Sequence, residues 1–188
     1  YPPKWAENAA AFRAGLRARA KVAQPYGSGG RQQFDLFLPE TEAKGLCVFV
    51  HGGYWRAFDR TVWSHLATGP LARAWAVAMP SYTLAPDARI SEITTEIGSA
   101  IKTAGTMVSG PIRLIGHSAG GHLVTRMLCA NAPLGADVTS RVENTVSLSG
   151  VHDLRPLLKT ALNEDLHLDA TEAEAESPAL LTPRTGTR

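Results

Sequence analysis

The sequence has 188 residues, of which 44% are hydrophobic and 19% charged, a composition typical of a folded globular domain. Its formal net charge of +2 is too small to indicate binding to nucleic acid or a membrane surface, and no apolar run approaches the roughly 18 residues of a membrane-spanning helix. We therefore expect a single cytoplasmic domain over residues 1–188, without nucleic-acid or membrane partners. The sequence leaves the oligomeric state open.

Two cysteines, Cys47 and Cys129, are too few for a disulfide framework. Cys47 falls in a predicted buried strand and Cys129 near the end of a predicted helix, so we expect both thiols to be reduced and buried. The sequence has no CxxC, HExxH or similar ligand spacing. We therefore expect neither a metal nor another cofactor.

The first half of the chain predicts one helix followed by strands that flank a second helix. In chain order these are a helix over 5–20, a turn over 25–30, strands over 33–39 and 46–50, a helix over 60–74 interrupted at Gly69-Pro70, and a strand over 75–80. The helix at 5–20 is rich in alanine and places Phe12 and Leu16 one turn apart. The run LCVFV at 46–50 is continuously apolar, as expected of a strand buried on both faces.

The second half predicts a regular alternation of helices and strands. In chain order these are a helix over 90–104, a strand over 112–116, a helix over 120–132, a strand over 145–150 and two short, weakly helical stretches within 153–176. The first helix repeats isoleucine at steps of three and four, which gives it one apolar face. Such alternation predicts an α/β fold whose strands at 46–50, 75–80, 112–116 and 145–149 are neighbours in a mostly parallel sheet covered by helices on both faces.

The stretch IRLIGHSAGGHLV at 112–124 places Gly116-x-Ser118-x-Gly120 between a predicted strand and a predicted helix. In this context the pattern is typical of a nucleophile elbow, a sharp turn that lifts a serine above the sheet. Glycines flank the serine because the turn leaves no room for Cβ atoms. We therefore predict that Ser118 is a nucleophile; the alternative is an ordinary turn serine.

A second motif, HGGYW at 51–55, directly follows the buried strand LCVFV. Adjacent glycines free the backbone to turn and expose N–H groups, so this loop is a candidate for one half of an oxyanion hole. The N–H of Ala119, the residue after the candidate nucleophile, would supply the other half. The alternative is an ordinary tight turn.

Together, HGGYW, GHSAGGHL and SYTLAP resemble α/β-hydrolases of the esterase and lipase type, within the branch of kynurenine formamidase (arylformamidase). SGVHDLRPLL, NEDLHLD and AESP extend the resemblance to about residue 178. It implies a three-layer α/β-hydrolase fold, a small ester or amide as substrate and no cofactor. Tyr54 replaces the third glycine of the HGGG loop found in other esterases of this group, and His117 replaces the aspartate before their serine.

The resemblance also implies roles for individual residues. Ser118 is the expected nucleophile, the N–H groups of Gly53, Tyr54 and Ala119 the oxyanion hole, and His51 with Gly52 the organisers of the loop. Aromatic side chains suit the wall of an aryl or acyl pocket. The candidates for that wall are Trp55, Trp63 and Tyr82; helix packing is the alternative for Trp63. We expect His117 and His122 to pack near Ser118 rather than to act as its base.

The triad acid and histidine of this fold follow the serine in chain order, and the resemblance places both beyond the AESP segment. The sequence has no histidine after His167. We therefore expect a chain that is incomplete at both its C-terminus and its N-terminus, lacks the last two strands of the sheet and is poorly active alone. Asp153 and His167 have the right order for an internal acid and base, a less favoured alternative.

Two functions from different classes follow. In the first, the protein is a serine hydrolase of small carboxylic esters or of N-formyl and aryl amides, acting through an acyl-enzyme on Ser118. In the second, it is an inactive fragment or a binding module without an acid and a base.

Overall fold

The computed structural model describes residues 2–186, and within them a six-stranded sheet carries helices on both faces. The strands are β1 (Ala20–Pro25), β2 (Gln33–Phe37), β3 (Leu46–Val50), β4 (Ala76–Pro80), β5 (Ile112–His117) and β6 (Val142–Leu148). The helices are α1 (Pro2–Leu16), α2 (Thr68–Leu71), α3 (Ile90–Met107), α4 (Ala119–Arg126), α5 (Ala136–Thr139), α6 (Asn163–Leu166) and α7 (Ala170–Ala175). Short 3₁₀ turns occupy 17–19, 60–62, 64–67, 155–159 and 178–180.

The strand order across the sheet is β1-β2-β4-β3-β5-β6. The pairs β4–β3, β3–β5 and β5–β6 are parallel, whereas β1–β2 and β2–β4 are antiparallel. The four strands expected to be neighbours do lie side by side, which confirms the predicted α/β class and the mostly parallel sheet. Because β3 and β5 are central and parallel, their carboxyl ends meet at one edge, where HGGYW and GHSAGG begin.

Two apolar layers cover the two faces of the sheet. On one face, the isoleucine stripe of α3 packs on β3 and β5 through buried residues such as Ile97, Val48 and Leu114. On the other face, Leu16 of α1 and Ala67 pack against the opposite sides of β2, β3 and β4. Together the two layers produce the three-layer arrangement that the fold class predicts.

Beyond β3, the second face is less well covered. Val146 and Leu148 of β6 are 40% and 48% exposed, and β6 is the last strand of the sheet within residues 2–186.

Both cysteines are buried and reduced, as expected, and burial raises the pKa of the Cys47 thiol to about 11. No helix within residues 2–186 combines the length and the apolarity needed to cross a membrane.

The structure corrects the N-terminal prediction. The helix expected over 5–20 runs from Pro2 to Leu16, and Ala20–Pro25 forms an antiparallel edge strand that the pattern did not reveal. β1 pairs on one side only, and its residues are half-buried or exposed. Its sequence therefore lacks the alternation of apolar and polar residues that would predict a strand. Its position depends on pairing with β2.

Other predicted segments also differ from the structure. The 60–74 segment is broken at Trp63, a turn residue between two 3₁₀ turns, rather than at Gly69-Pro70, because Pro70 lies in the first turn of α2, where proline is tolerated. Helix α4 ends at Arg126 instead of residue 132, and the chain beyond it pairs with the C-terminal segment through Ala130 N–H to the Thr182 carbonyl. The 153–176 segment holds three short helical turns in place of two.

Candidate functional site

Ser118 occupies the junction between β5 and α4. Its backbone has φ 54° and ψ −117°, a left-handed conformation that is strained for any residue with a Cβ. Its N–H donates to the Leu148 carbonyl at 2.9 Å, and its own carbonyl accepts from the His122 N–H at 3.1 Å. The prediction of a strained strand-to-helix turn at Ser118 is therefore confirmed.

The glycines of GHSAGG permit this turn. A Cβ on Gly116 would lie 2.1 Å from the Gly120 carbonyl oxygen, and a Cβ on Gly120 would lie 2.0 Å from the Val50 carbonyl oxygen. Both contacts are far inside van der Waals distance and both involve backbone, so no side-chain movement could relieve them. The first turn of α4 is therefore pressed against the end of β3, and the partial positive charge of the α4 N-terminus lies at Ser118.

The HGGYW loop lies directly against this turn. A Cβ on Gly52 would fall 2.7 Å from the His117 carbonyl oxygen and 3.0 Å from the Ser118 Cβ. Gly53 has φ 118° and Tyr54 has φ 53°, so the loop turns away from β3 through left-handed conformations. The structure thus brings together the two motifs that the sequence separates by more than 60 residues.

His51 and Tyr82 hold the base of this loop. The His51 Nδ1–H donates to the Gly52 carbonyl at 2.7 Å, and the ring stacks on Tyr82 with centroids 4.5 Å apart. The Tyr82 hydroxyl donates to the His51 carbonyl at 3.1 Å. Burial lowers the pKa of His51 to about 4, so the ring is neutral at pH 7.

A cavity of about 350 Å³ borders the Gly52 and His117 side of the site. Its wall is largely aromatic and apolar; it is lined by Trp5, Phe49, Gly52, Trp63, Leu66, His117 and Leu148. Trp63 packs against Trp5 with ring centroids 5.2 Å apart and against Phe58 at 5.7 Å. An apolar cavity of this size beside the turn suits the acyl or aryl part of a small substrate.

The three expected pocket residues occupy different places. Trp63 lines the cavity, whereas Trp55 and Tyr82 are 1% and 0% exposed and belong to the core behind the loop. Tyr54 is 60% exposed, at the mouth of the site. The indole of Trp55 contacts the His122 ring edge to face, with centroids 5.3 Å apart.

Of the two histidines near Ser118, His122 has a structural hydrogen-bond partner and His117 lines the cavity. His122 is completely buried, and its Nε2–H donates to the Glu176 carbonyl at 2.6 Å. His117 precedes the turn and lines the cavity. Within residues 2–186, neither ring makes a hydrogen bond to the Ser118 hydroxyl.

Asp153 and His167 do not form a relay to Ser118 in the described part of the chain. The Asp153 carboxylate accepts two hydrogen bonds from the Arg155 guanidinium, at 3.0 and 2.8 Å, and these bonds lower its pKa. His167 is an exposed residue with φ 50° at the end of α6. Within residues 2–186 no cluster of three or more His, Cys, Asp or Glu side chains could hold a metal ion.

Sequence reasoning missed a buried ion pair behind the site. The Arg126 guanidinium donates to both Glu176 carboxylate oxygens, at 3.1 and 3.2 Å, and Thr94 donates to the same carboxylate at 2.7 Å. The two charged side chains are 4% and 9% exposed. A second pair, the exposed Arg56 and Asp165, joins the HGGYW loop to α6. These partners are separated by 50 residues or more, so no local pattern reveals them.

Kynurenine formamidases are among the proteins that the chain resembles in sequence. The chain is 30% identical over 166 residues to kynurenine formamidase of Salmo salar, covering 85% of this chain and 55% of that protein. It is 36% identical over 140 residues to kynurenine formamidase of Drosophila melanogaster, covering 70% of this chain and 46% of that protein. The chain thus spans about half the length of the curated relatives it matches.

Solved structures share the fold. A protein from Silicibacter sp. TM1040, provisionally named a thioesterase, is 53% identical with a TM-score of 0.98, over 100% of this chain and 71% of that chain. Esterase B from Lactobacillus rhamnosis is 20% identical with a TM-score of 0.71, over 95% of this chain and 69% of that chain. The alpha/beta hydrolase family matches residues 47–186, from β3 through the Ser118 turn to the end of the described chain. The chain therefore belongs to the alpha/beta hydrolase family.

Proposed function

We propose that the protein is a serine hydrolase that cleaves small carboxylic esters or N-formyl and aryl amides through an acyl-enzyme on Ser118. The observation that carries the proposal is the position of Ser118. It occupies a strained strand-to-helix turn, with the backbone of Gly52 packed against its Cβ and the α4 N-terminus beneath it. Similarity to kynurenine formamidases and to an esterase supports the same reaction class.

In this reaction the Ser118 hydroxyl attacks the substrate carbonyl carbon, and the carbonyl oxygen becomes an oxyanion. The N–H groups of Gly53, Tyr54 and Ala119 are the proposed donors to that oxyanion, because both chain segments converge at Ser118. One such donor is typically worth about 3 kcal/mol of transition-state stabilisation. Loss of the alcohol or amine leaves an acyl-serine, which water then hydrolyses.

The cavity beside Gly52 and His117 supports the proposed kind of substrate. Its aromatic and apolar wall favours a flat or apolar group on one side of the scissile carbonyl. N-formylkynurenine and simple aryl esters both satisfy this condition, and two relatives are kynurenine formamidases. Trp63 is the proposed contact for the aryl group.

Proton transfer from Ser118 requires a base that residues 2–186 do not place in hydrogen-bond contact with its hydroxyl. We propose that an acid and a histidine outside this range complete the site in the active protein, in the chain order typical of the fold. The engagement of Asp153 by Arg155 argues against the internal pair of Asp153 and His167. The same missing base favours a second candidate, an inactive remnant or a binding module.

The test uses the longest form of the protein that its gene encodes, assayed with N-formylkynurenine and p-nitrophenyl acetate. Hydrolysis of either substrate, lost on Ser118→Ala, together with covalent labelling of Ser118 by a fluorophosphonate, supports the proposal. Activity that survives Ser118→Ala would sink it. If neither substrate reacts and no label is incorporated, the binding module is the better assignment.

The internal pair is tested separately with His167→Ala. We expect this variant to keep its activity, because His167 is exposed at the end of α6. If residues 1–188 alone are as active as the longest form and lose that activity on His167→Ala, the internal triad is correct.

A further inference from the structure

One buried contact joins the two halves of the site. The rings of Trp55 and His122 meet edge to face, with centroids 5.3 Å apart and planes at 78°. Trp55 comes two residues after Gly53, and His122 comes four residues after Ser118. The two side chains are 1% and 0% exposed, so the contact is shielded from solvent.

His122 is fixed on its own side of this contact. Its backbone N–H donates to the Ser118 carbonyl at 3.1 Å, and its Nε2–H donates to the Glu176 carbonyl at 2.6 Å. Donation to a carbonyl requires the proton on Nε2, which defines the tautomer of the neutral ring. Burial lowers the pKa of His122 to about 4, which keeps the ring neutral at pH 7.

On the Trp55 side of the contact, the backbone conformation of the HGGYW loop has to be held by surrounding contacts. Gly53, Tyr54 and Trp55 have φ values of 118°, 53° and 57°, so two consecutive residues with side chains are held in left-handed conformations. Such conformations persist only where surrounding contacts impose them. For Trp55 those contacts include the Ala85 N–H, which donates to its carbonyl at 2.9 Å, and the His122 ring.

We propose that His122 is a positioning residue whose ring holds Trp55 and thereby sets the distance between the Gly53–Tyr54 backbone and Ser118. The inference rests on the proposed function, since it assigns the Gly53 and Tyr54 N–H groups to the oxyanion. A displacement of about 1 Å in such a site can lower the rate by about 100-fold. Because the oxyanion forms only in the transition state, the lower rate should appear as a lower kcat, with KM little changed.

Two substitutions separate the ring from its hydrogen bond. His122→Gln keeps an amide N–H for the Glu176 carbonyl but removes the ring, whereas His122→Phe keeps a ring against Trp55 but removes the donor. With phenyl acetate as substrate, we expect His122→Gln to lower kcat by ~10- to 100-fold with KM within about twofold. We expect His122→Phe to recover most of that kcat while melting at a lower temperature.

Trp55→Leu removes the aromatic contact from the other side, and it tests the proposal if His122→Gln does not fold. It should give the same split between kcat and KM, and the double variant should be no slower than the slower single variant. Val138→Ala is the matched control, because Val138 is buried in α5 beside Gly105. This control should lower the melting temperature and leave kcat unchanged.

The outcomes distinguish this inference from the proposed function. If Ser118→Ala abolishes activity but His122→Gln and Trp55→Leu keep the parent kcat, the positioning role is wrong and the proposed function stands. Multiplicative losses in the double variant, or a KM that rises as far as kcat falls, also overturn it. If Ser118→Ala keeps full activity, the proposed function itself fails.

Discussion

The backbone of Gly52 packs against Ser118 so closely that a Cβ on Gly52 would lie 3.0 Å from the Ser118 Cβ and 2.7 Å from the preceding carbonyl oxygen. The end of β3 and the end of β5 therefore form one surface. This proximity is the geometric basis for assigning the HGGYW loop and the serine turn to a single site. It also makes the site sensitive to one added methyl group.

We expect Gly52→Ala to lower activity by roughly 100-fold, because the methyl group must push the loop away from Ser118. Steady-state kinetics with phenyl acetate measure the effect. The matched control is Gly15→Ala in α1, where an added Cβ meets nothing within 4 Å. That change should keep activity and raise the free energy of unfolding by about 0.5 to 1 kcal/mol. Equal activity in the two variants would contradict the packing argument.

The left-handed backbone conformation of Ser118 is expected to destabilise the folded protein. Its φ of 54° is easily adopted by glycine but strained for serine and alanine alike. Ser118→Gly should therefore be about 1 kcal/mol more stable to urea than Ser118→Ala, while both variants lose activity. Identical unfolding midpoints for the two variants would show that the turn carries no strain.

The buried pair of Arg126 and Glu176 should be far more sensitive than an exposed pair. Glu176→Gln leaves a guanidinium that is 4% exposed without its counter-charge, which typically costs about 3 to 5 kcal/mol. Glu40→Gln is the control, since Glu40 pairs with Arg19 at the surface and is 81% exposed. We expect this control to change the free energy of unfolding by less than about 1 kcal/mol. Similar costs for both variants would contradict the assigned burial.

Acid should destabilise the fold first through its buried histidines. Burial lowers the pKa values of His51 and His122 to about 4, whereas a histidine in the unfolded chain titrates near about 6.5. Above that value both states are neutral and stability is complete. As the pH falls from about 6.5 to about 4, protons bind the unfolded chain preferentially, and each histidine removes up to about 3 kcal/mol.

Urea unfolding at pH 7, 5.5 and 4.5 measures this loss. In His122→Phe, which cannot be protonated at this position, the decline in stability over this window should be less steep than in the parent protein. The Asp169 carboxyl contributes at lower pH, because the Glu172 N–H and Arg89 lower its pKa. Its stabilisation is complete above the ordinary aspartate pKa of about 3.9 and is lost as the pH falls from there to the lowered value. Stability that stays constant down to pH 5 would refute the histidine assignment.

Local sequence patterns determined the central architecture and its two motifs. LCVFV is a continuous apolar run, as expected of a strand buried on both faces, and IRLIG is a short, mostly apolar run whose buried residues alternate with more exposed ones. The isoleucine spacing of α3 gives that helix one buried face. The glycines around Ser118 and after His51 indicated tight turns because no other residue fits them. Each of these signals lies within about 20 consecutive residues.

Tertiary structure decided what depends on partners distant in the chain. β1 exists because it pairs with β2, and its own residues carry no apolar alternation. The aromatic side chain of Trp55 suits a pocket wall, yet the left-handed turn of the HGGYW loop places it in the core against His122. Glu176 pairs with Arg126 across 50 residues. In each case the controlling energy, from strand pairing, ring packing or a buried ion pair, arises only when the folded chain brings both partners together.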